Sequence, residues 1–150
     1  MTAEHMPQGS NMFKSDADAL ICPVNCVGTL GAGLARVFAA KYPDMVQPYE
    51  YACGIERIAI GRVFTIDLGD VDIVCVPTKN HWRNDSILED VLKAIEALVV
   101  EAERQKWRVM SVPALGCGLG NLEWEPVKEA LYESFRGHTT HARIFPPGPG

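Results

Sequence analysis

The chain has 150 residues, of which 47% are hydrophobic and 22% are charged, and its formal net charge is −5. This composition is ordinary for one globular domain, whereas the acidic balance argues against a broad surface for duplex DNA, which must neutralise many phosphates. No run is apolar enough to span a bilayer, and the five cysteines form no CxxC pair, so we expect a reducing, cytoplasmic setting with no metal site and no membrane contact.

The two ends of the chain differ from the rest. Residues 1–10 carry neither a basic start nor an apolar centre, so they predict a flexible N-terminal segment rather than a signal peptide. The Pro- and Gly-rich residues 146–150 predict a flexible tail. One domain is therefore expected over residues 11–145, which contain no linker or repeat.

The first predicted element is a buried strand at residues 19–24, with the sequence ALICPV. A glycine-rich loop at 25–33 follows it. A helix is predicted at 34–41, and Pro43 begins another short helix that ends at about Cys53. The chain therefore runs from a strand through a glycine loop into a helix.

The middle of the chain predicts a hairpin followed by a long helix. Strands are expected at 63–66 and 73–76, with a turn at Gly69-Asp70, and a polar loop at 77–83 leaves the second strand. Ser86 is predicted to cap the long helix, with Glu89 in the capping-box position. An apolar stripe marks the buried face of this helix, at Ile87, Val91, Ile95, Leu98 and Ala102.

The last third repeats the strand, glycine loop and helix. A strand is predicted at 109–112, a second glycine loop at 116–120, a helix at about 125–135 and a final strand at 142–145. Glycines let a backbone approach a phosphate closely, and the N–H groups at a helix start can bind it. Taken alone, each loop is equally consistent with a tight turn.

Alternating strands and helices predict an α/β fold, a three-layer α/β/α sandwich around a mixed, largely parallel sheet. Ligands of such sheets bind outside the carboxyl ends of the strands, where the loops 25–33, 77–83 and 116–120 are expected to converge. Two facing glycine loops suit a ligand with two phosphates and a sugar on each side. The loops lack the spacing of a Rossmann fingerprint and the Gly-Lys-Ser/Thr of a P-loop.

The combination of Asn25 with GTLGAG at 28–33, PTK at 77–79 and PALGCGLG at 113–120 resembles the macrodomains, which bind ADP-ribose. The resemblance covers about residues 11–145. The TKNHWR loop and the LGCGLGNLEW stretch make the chain most similar to the DNA ADP-ribosyl glycohydrolase antitoxins. It is also similar to animal glycohydrolases that remove ADP-ribose from acidic side chains, and to ADP-ribose-1″-phosphate phosphatases.

The resemblance implies a set of ligand-binding residues. Asn11, with Met12, matches the position that contacts adenine, and Asn25 matches the asparagine that holds the distal ribose. Cys22 stands where many macrodomains have a further asparagine. The full implied ADP-ribose-binding set is Asn11, Met12, Asn25, Gly31, Ala32, Gly33, Thr78, Gly116, Cys117, Gly118, Leu119 and Gly120.

The resemblance also implies catalytic roles for Lys79 and Asn25. In the similar enzymes a lysine at this place acts at the distal anomeric carbon, either as a nucleophile or by polarising the ribose, and both roles remain open. The animal enzymes carry an aspartate where this chain has Gly120, so acidic-side-chain hydrolysis is the weaker match. His81, Trp82 and Arg83 are candidate DNA-binding residues by base stacking and phosphate pairing, unless Trp82 packs against the long helix and Arg83 is solvated.

The expected function is hydrolysis of the N-glycosidic bond between ADP-ribose and thymine in single-stranded DNA. This activity would reverse DNA ADP-ribosylation and so contribute to DNA repair. The protein would then be the antitoxin to a DNA ADP-ribosyltransferase toxin. We expect a monomer that needs no metal and no cofactor. Two alternatives are a phosphatase for ADP-ribose-1″-phosphate and a non-catalytic ADP-ribose-binding module.

Overall fold

A computed structural model describes residues 2–14 and 16–148. Every helix and strand predicted from the sequence is present, with bounds that differ by a few residues. No helix in the described part is long and apolar enough to cross a membrane. The strands are β1 Ala3–His5, β2 Ala19–Asn25, β3 Phe64–Asp67, β4 Asp72–Lys79, β5 Val109–Val112 and β6 His141–Ile144, and the helices are α1 Gly33–Lys41, α2 Val46–Gly54, α3 Leu88–Gln105 and α4 Trp124–Phe135, with 3-10 turns at Met12–Lys14 and Pro43–Met45.

The six strands form one sheet in the order β1-β6-β5-β2-β4-β3. Every neighbouring pair is parallel except β3 and β4, which form the predicted antiparallel hairpin. Each face of the sheet is covered by two helices, α1 and α2 on one side and α3 and α4 on the other. The expectation of a three-layer α/β/α sandwich with a mixed, largely parallel sheet is confirmed.

Alternating side chains of the central strands supply the two cores. In β2, Ala19 and Ile21 pack with α3 and α4, whereas Leu20, Cys22 and Val24 pack with α1 and α2. This alternation follows from the two-residue period of a strand. Because both faces are covered, β2 is apolar along most of its length, as is typical of a central parallel strand.

A β-bulge at the end of β2 sets the position of its last residue. Val24 pairs with Pro77 of β4, but the register then shifts so that Asn25 pairs with Lys79. The shift passes over Thr78. The carboxyl ends of these two strands therefore place Asn25 and Lys79 side by side.

The prediction of a flexible segment over residues 1–10 requires correction, because Ala3–His5 forms an edge strand parallel to β6. The strand has three residues, of which Ala3 is buried, so it shows no periodicity from which it could be predicted. Gln8 also donates a hydrogen bond from Nε2 to the carbonyl oxygen of Pro147 at 2.7 Å. Pro147 of the expected flexible tail thus contacts the N-terminal segment, and residues 149–150 lie outside the described part.

The prediction that Ser86 caps the long helix is wrong. The N-cap of α3 is Ile87, which has no side-chain capping bond. Ser86 instead lies buried beneath the second glycine loop (116–120), where its backbone N–H donates to the carbonyl oxygen of Gly120 at 2.9 Å. Packing of this loop against the start of α3 overrides the local capping preference.

Candidate functional site

A cleft of about 1050 Å³ opens at the carboxyl ends of β2, β4 and β5. The first glycine loop (25–33) and the second glycine loop form facing walls, as the strand order predicts. The predicted site residues that line the cleft are Asn11, Met12, Asn25, Gly31, Ala32, Gly33, Thr78, Lys79, Trp82, Gly116, Gly118, Leu119 and Gly120. Cys117, His81 and Arg83 are the predicted site residues that do not line it.

Side-chain hydrogen bonds of Asn25 hold the first glycine loop. Its Oδ1 accepts from the N–H of Val27 at 3.1 Å and, more weakly, from the N–H of Thr29 at 3.4 Å. Its Nδ2 donates to the carbonyl oxygen of Thr29 at 2.9 Å. An amide nitrogen carries two hydrogens, so one N–H of Asn25 remains available for a ligand.

The first glycine loop ends at the N-terminus of α1, which lies at the cleft. The N-cap residue, Ala32, makes no side-chain capping bond, and Gly33, Leu34 and Ala35 of the first turn line the cleft. The first-turn N–H groups of a helix have no partner within the helix, and the helix dipole favours negative charge there. This end of α1 is therefore suited to binding an anion.

The second glycine loop offers backbone donors as well. Within residues 2–14 and 16–148, the N–H groups of Gly118, Leu119 and Gly120 have no backbone acceptor, whereas that of Cys117 donates to the carbonyl oxygen of Ala114 at 3.1 Å. Three consecutive unpaired N–H groups at a cleft form an anion-binding backbone.

Two glycines of this loop leave no room for a side chain. A Cβ at Gly120 would overlap the Oγ of Ser86 and lie 2.5 Å from the carbonyl oxygen of Gly116. Gly116 has a φ of +75°, and a Cβ there would lie 2.8 Å from Cδ1 of Leu122. The aspartate that similar animal enzymes carry at the position of Gly120 thus has no space in this packing.

Lys79 is the one ionisable side chain among the described residues that line the cleft. It ends β4 opposite Asn25 and is half-buried, and it forms no ion pair within the described residues. Its neighbour Thr78 is 5% exposed and also lines the cleft. Apart from the hydroxyl groups of Ser10, Thr29 and Thr78, an acid, base or nucleophile at the described lining of the cleft must therefore come from Lys79 or from a bound molecule.

The far end of the cleft is apolar and includes residues that the sequence analysis missed. Asn11 is exposed there, and its Oδ1 accepts the N–H of Phe13 at 2.9 Å, which orients it at the start of a 3-10 turn. Met12 is buried beneath this turn. No local sequence signal marked the terminal segments as part of the cleft, to which they contribute Gln8, Gly9, Ser10, Phe145, Pro146, Pro147 and Gly148.

The loop after β4 presents one aromatic ring at the rim of the cleft. Trp82 is 49% exposed, and the guanidinium carbon of Arg83 lies 4.7 Å from its ring centroid. The ring centroid of His81 lies 5.3 Å from that of Trp82, and its Nδ1 accepts the N–H of Arg83 at 3.1 Å. The alternative in which Trp82 packs away against α3 does not agree with this exposure.

The thiols near the cleft are poor nucleophiles. Burial raises the pKa of Cys117 to about 11, and its Sγ lies 3.5 Å from the carbonyl oxygen of Leu115, away from the cleft. Burial, together with the neighbouring Cys53, raises the pKa of Cys26 to about 11. Both thiols are therefore protonated near neutral pH, the form in which a cysteine is a weak nucleophile.

Comparison with known proteins identifies relatives of this chain in sequence and in fold. The sequence profile of the Macro domain matches residues 21–131. The DNA ADP-ribosyl glycohydrolase of Mycobacterium tuberculosis is 36% identical over 145 residues, which are 93% of this chain and 41% of that protein. The chain therefore spans less than half the length of this curated relative.

Two solved structures are similar over nearly the whole chain. The macrodomain of Mycobacterium tuberculosis DarG has a TM-score of 0.92 and 33% identity, covering 97% of this chain and 98% of that one. Thermosipho africanus DarTG in complex with ADP-ribose has a TM-score of 0.86 and 27% identity, covering 91% of this chain and 40% of that one.

Proposed function

The chain belongs to the Macro domain family, and from that premise we propose that it is an ADP-ribosyl glycohydrolase that removes ADP-ribose from thymine in single-stranded DNA. One observation carries the proposal. Lys79, the one ionisable side chain that lines the cleft in the described part, stands beside Asn25 at the strand ends, between two loops suited to phosphates.

The ligand's diphosphate fits between the two glycine loops. The N-terminus of α1 and the unpaired N–H groups of the second glycine loop both favour negative charge. No Asp or Glu lines the cleft among the described residues to oppose that charge. In this proposal adenine occupies the apolar end beside Asn11 and Met12, and the distal ribose lies near Asn25 and Lys79.

The proposed reaction is addition of water across the glycosidic bond. The bond between the distal anomeric carbon and the thymine ring nitrogen breaks, the carbon receives the hydroxyl of water, and the nitrogen receives the proton. Lys79 acts at that carbon in one of two ways. As a nucleophile it forms a transient C–N bond that water then hydrolyses, and as a cation it polarises the ribose without a bond.

Binding supplies much of the rate in this proposal. A cleft with one ionisable side chain has few acid and base groups, so orientation must lower the barrier. Contacts to the diphosphate and adenine lie away from the breaking bond, and their binding energy aligns that bond over Lys79.

The DNA strand is proposed to leave the cleft past Trp82. An exposed indole at the rim can stack on a base, and Arg83, which lies against that indole, can pair with a backbone phosphate. His81 positions Arg83 through the bond to its N–H. Because the net charge of the chain is −5, we propose that it contacts a few nucleotides and has no extended DNA-binding surface.

The proposed substrate implies a partner enzyme and a cellular role. An enzyme that attaches ADP-ribose to DNA must supply this substrate, so a DNA ADP-ribosyltransferase toxin is the proposed counterpart and DNA repair is the outcome. The protein would act as a monomeric antitoxin. The five cysteines are free, which is consistent with the reducing cytoplasm in which we place it.

A denaturing gel tests the substrate. A thymine-ADP-ribosylated single-stranded oligonucleotide is incubated with the protein in EDTA, and we expect the mobility of the bare oligonucleotide and free ADP-ribose. An unchanged band would contradict the proposal. Phosphate release from ADP-ribose-1″-phosphate would then favour the phosphatase alternative, and ADP-ribose binding without either reaction would favour the non-catalytic module.

A further inference from the structure

Tyr49, a residue of α2, contacts the back of the first glycine loop but does not line the cleft. Its side chain is fully buried, and its hydroxyl lies 2.9 Å from the backbone oxygen of Asn25 and 2.9 Å from the Oδ1 of Asn25. Both oxygens are acceptors, so the single phenolic hydrogen is shared between them. Burial raises the pKa of the Tyr49 hydroxyl above its ordinary value, so it remains a donor.

These contacts determine which way the Asn25 amide faces. Oδ1 receives the Tyr49 hydroxyl together with the N–H groups of Val27 and Thr29. If the amide turned over, its NH₂ group would point at the N–H groups of Val27 and Thr29 and those bonds would be lost, and the Tyr49 hydroxyl could no longer donate to the side chain. Oδ1 therefore faces the protein, and the amide nitrogen is the atom left for the cleft.

We propose that Tyr49 is a positioning residue that locks the Asn25 amide, so that Asn25 meets its ligand as an N–H donor. The inference rests on the proposed function for its ligand, because the group that Asn25 addresses must then be an oxygen acceptor of the distal ribose. An aspartate at this position would present the wrong polarity toward that oxygen. Tyr49 itself touches no substrate, since it acts through Asn25.

The backbone contact gives Tyr49 a second effect on the same residue. Asn25 lies at the β-bulge that places it opposite Lys79. The Sγ of Cys53 also lies 4.0 Å from its backbone oxygen, which is a much weaker contact than that of the Tyr49 hydroxyl. The Tyr49 hydroxyl therefore stabilises both the amide of Asn25 and the bulge that brings Asn25 beside Lys79.

Tyr49→Phe tests the inference, because it keeps the buried ring and removes the hydroxyl. Tyr51→Phe is the matched control, since Tyr51 lies on the same helix and is 69% exposed. In ¹⁵N-labelled protein, we expect the Asn25 side-chain NH₂ signals to shift and to exchange faster with water in Tyr49→Phe and to stay unchanged in Tyr51→Phe. Unchanged Asn25 signals in Tyr49→Phe would overturn the inference, whatever the enzyme's activity.

A double-mutant cycle separates positioning from packing. We expect Tyr49→Phe to weaken ADP-ribose binding about 5- to 10-fold, as loss of one buried hydrogen bond implies, and to weaken it much less once Asn25 is replaced by Ala, where only the bond to the backbone oxygen remains. Asn25→Leu serves as the second background if Asn25→Ala does not fold, because leucine is close to asparagine in shape and offers no side-chain acceptor to Tyr49. Additive losses, or a lowered melting temperature with unchanged affinity, would overturn the inference.

Failure of the proposed function can be distinguished from failure of the inference about Tyr49. If the wild type binds ADP-ribose but does not release it from DNA, the proposed function fails while the binding cycle still tests Tyr49. If the wild type hydrolyses modified DNA and Tyr49→Phe matches it in Kd, kcat and KM, the proposed function stands and the inference fails.

Discussion

The two glycine loops that face each other across the cleft are held in place by different means. The first glycine loop depends on side chains, since Asn25 bonds to Val27 and Thr29 and is bonded by Tyr49. The second glycine loop depends on backbone hydrogen bonds and on close packing against Ser86 and α3. A loop held by side chains can be weakened one bond at a time, whereas a loop held by packing tolerates no added atom at its packed positions, Gly116 and Gly120.

Among the substitutions that test this difference between the loops, Gly120→Ala should have the largest effect on stability and on ADP-ribose affinity. The new Cβ would meet the carbonyl oxygen of Gly116 as well as the side chain of Ser86, and a backbone atom cannot move without moving the loop. We expect the free energy of unfolding to fall by about 1–3 kcal/mol, as in overpacked cores, and ADP-ribose affinity to fall by roughly 10- to 150-fold.

The control is Gly118→Ala, because no heavy atom lies within 4 Å of a Cβ there. Chemical denaturation should find its unfolding free energy within about 0.5 kcal/mol of the wild type. Equal stability losses for the two variants would refute the packing explanation of the second glycine loop.

Asn25→Ala should loosen the first glycine loop without unfolding the domain. The change removes the side-chain bonds to the loop and leaves the N–H groups of Val27 and Thr29 without their acceptor. We expect a loss of about 1–3 kcal/mol in stability, with a loss of ADP-ribose affinity measured by calorimetry. Asn84→Ala, at an exposed asparagine after β4, is the control, and a similar loss there would argue against a specific role for Asn25.

Trp82→Ala should weaken binding of the DNA strand and leave the two glycine loops intact. Removing a stacking ring costs about 1–3 kcal/mol per base, so KM for a modified oligonucleotide should rise by roughly 5-fold or more, while ADP-ribose affinity stays unchanged. The control is Ile87→Ala, a nearby apolar side chain that is 61% exposed. If Trp82→Ala weakened the binding of free ADP-ribose to the same degree, Trp82 would contact the ADP-ribose and not the DNA.

The smallest expected effect is a dependence of stability on alkaline pH. Burial raises the pKa of Cys26 and Cys117 to about 11 from 9.0, so the unfolded chain loses these protons first as pH rises. Their contribution to stability is complete below pH 9 and is lost as pH rises toward about 11. Urea unfolding at stepped pH should show this fall, and a Cys26→Ala/Cys117→Ala variant that falls equally would contradict it.

Much of the fold was predictable because each central strand is mostly apolar and a glycine or polar loop follows it. The convergence of the loops followed from parallel strand order. Strand Ala3–His5 could not be predicted, since three residues carry no period and pairing with β6 creates the strand. Ser86 was misassigned because its capping pattern is local, whereas its contact with Gly120 is not.

In the candidate site, the sequence predicted several of the side chains that line the cleft but not the contacts that position them. Lys79 and Asn25 followed from the resemblance and from their places after buried strands. The register shift that pairs them is a property of two strands together, so no single segment encodes it. The same holds for Tyr49, which lies 24 residues from Asn25 in sequence and whose hydroxyl contacts it only in the folded chain.

Single-turnover release of ADP-ribose from a modified oligonucleotide, with wild type and Lys79→Ala in excess, tests the central claim most directly. We predict a rate at least about 10²-fold lower in Lys79→Ala, with ADP-ribose affinity near that of the wild type, because Lys79 acts on the reacting carbon and the two loops bind the rest. If Lys79 is the nucleophile, its adduct forms an iminium when the ribose ring opens, and reduction of that iminium by cyanoborohydride would trap the wild-type protein covalently on its substrate. A Lys79→Ala variant that releases ADP-ribose at the wild-type rate would contradict the account.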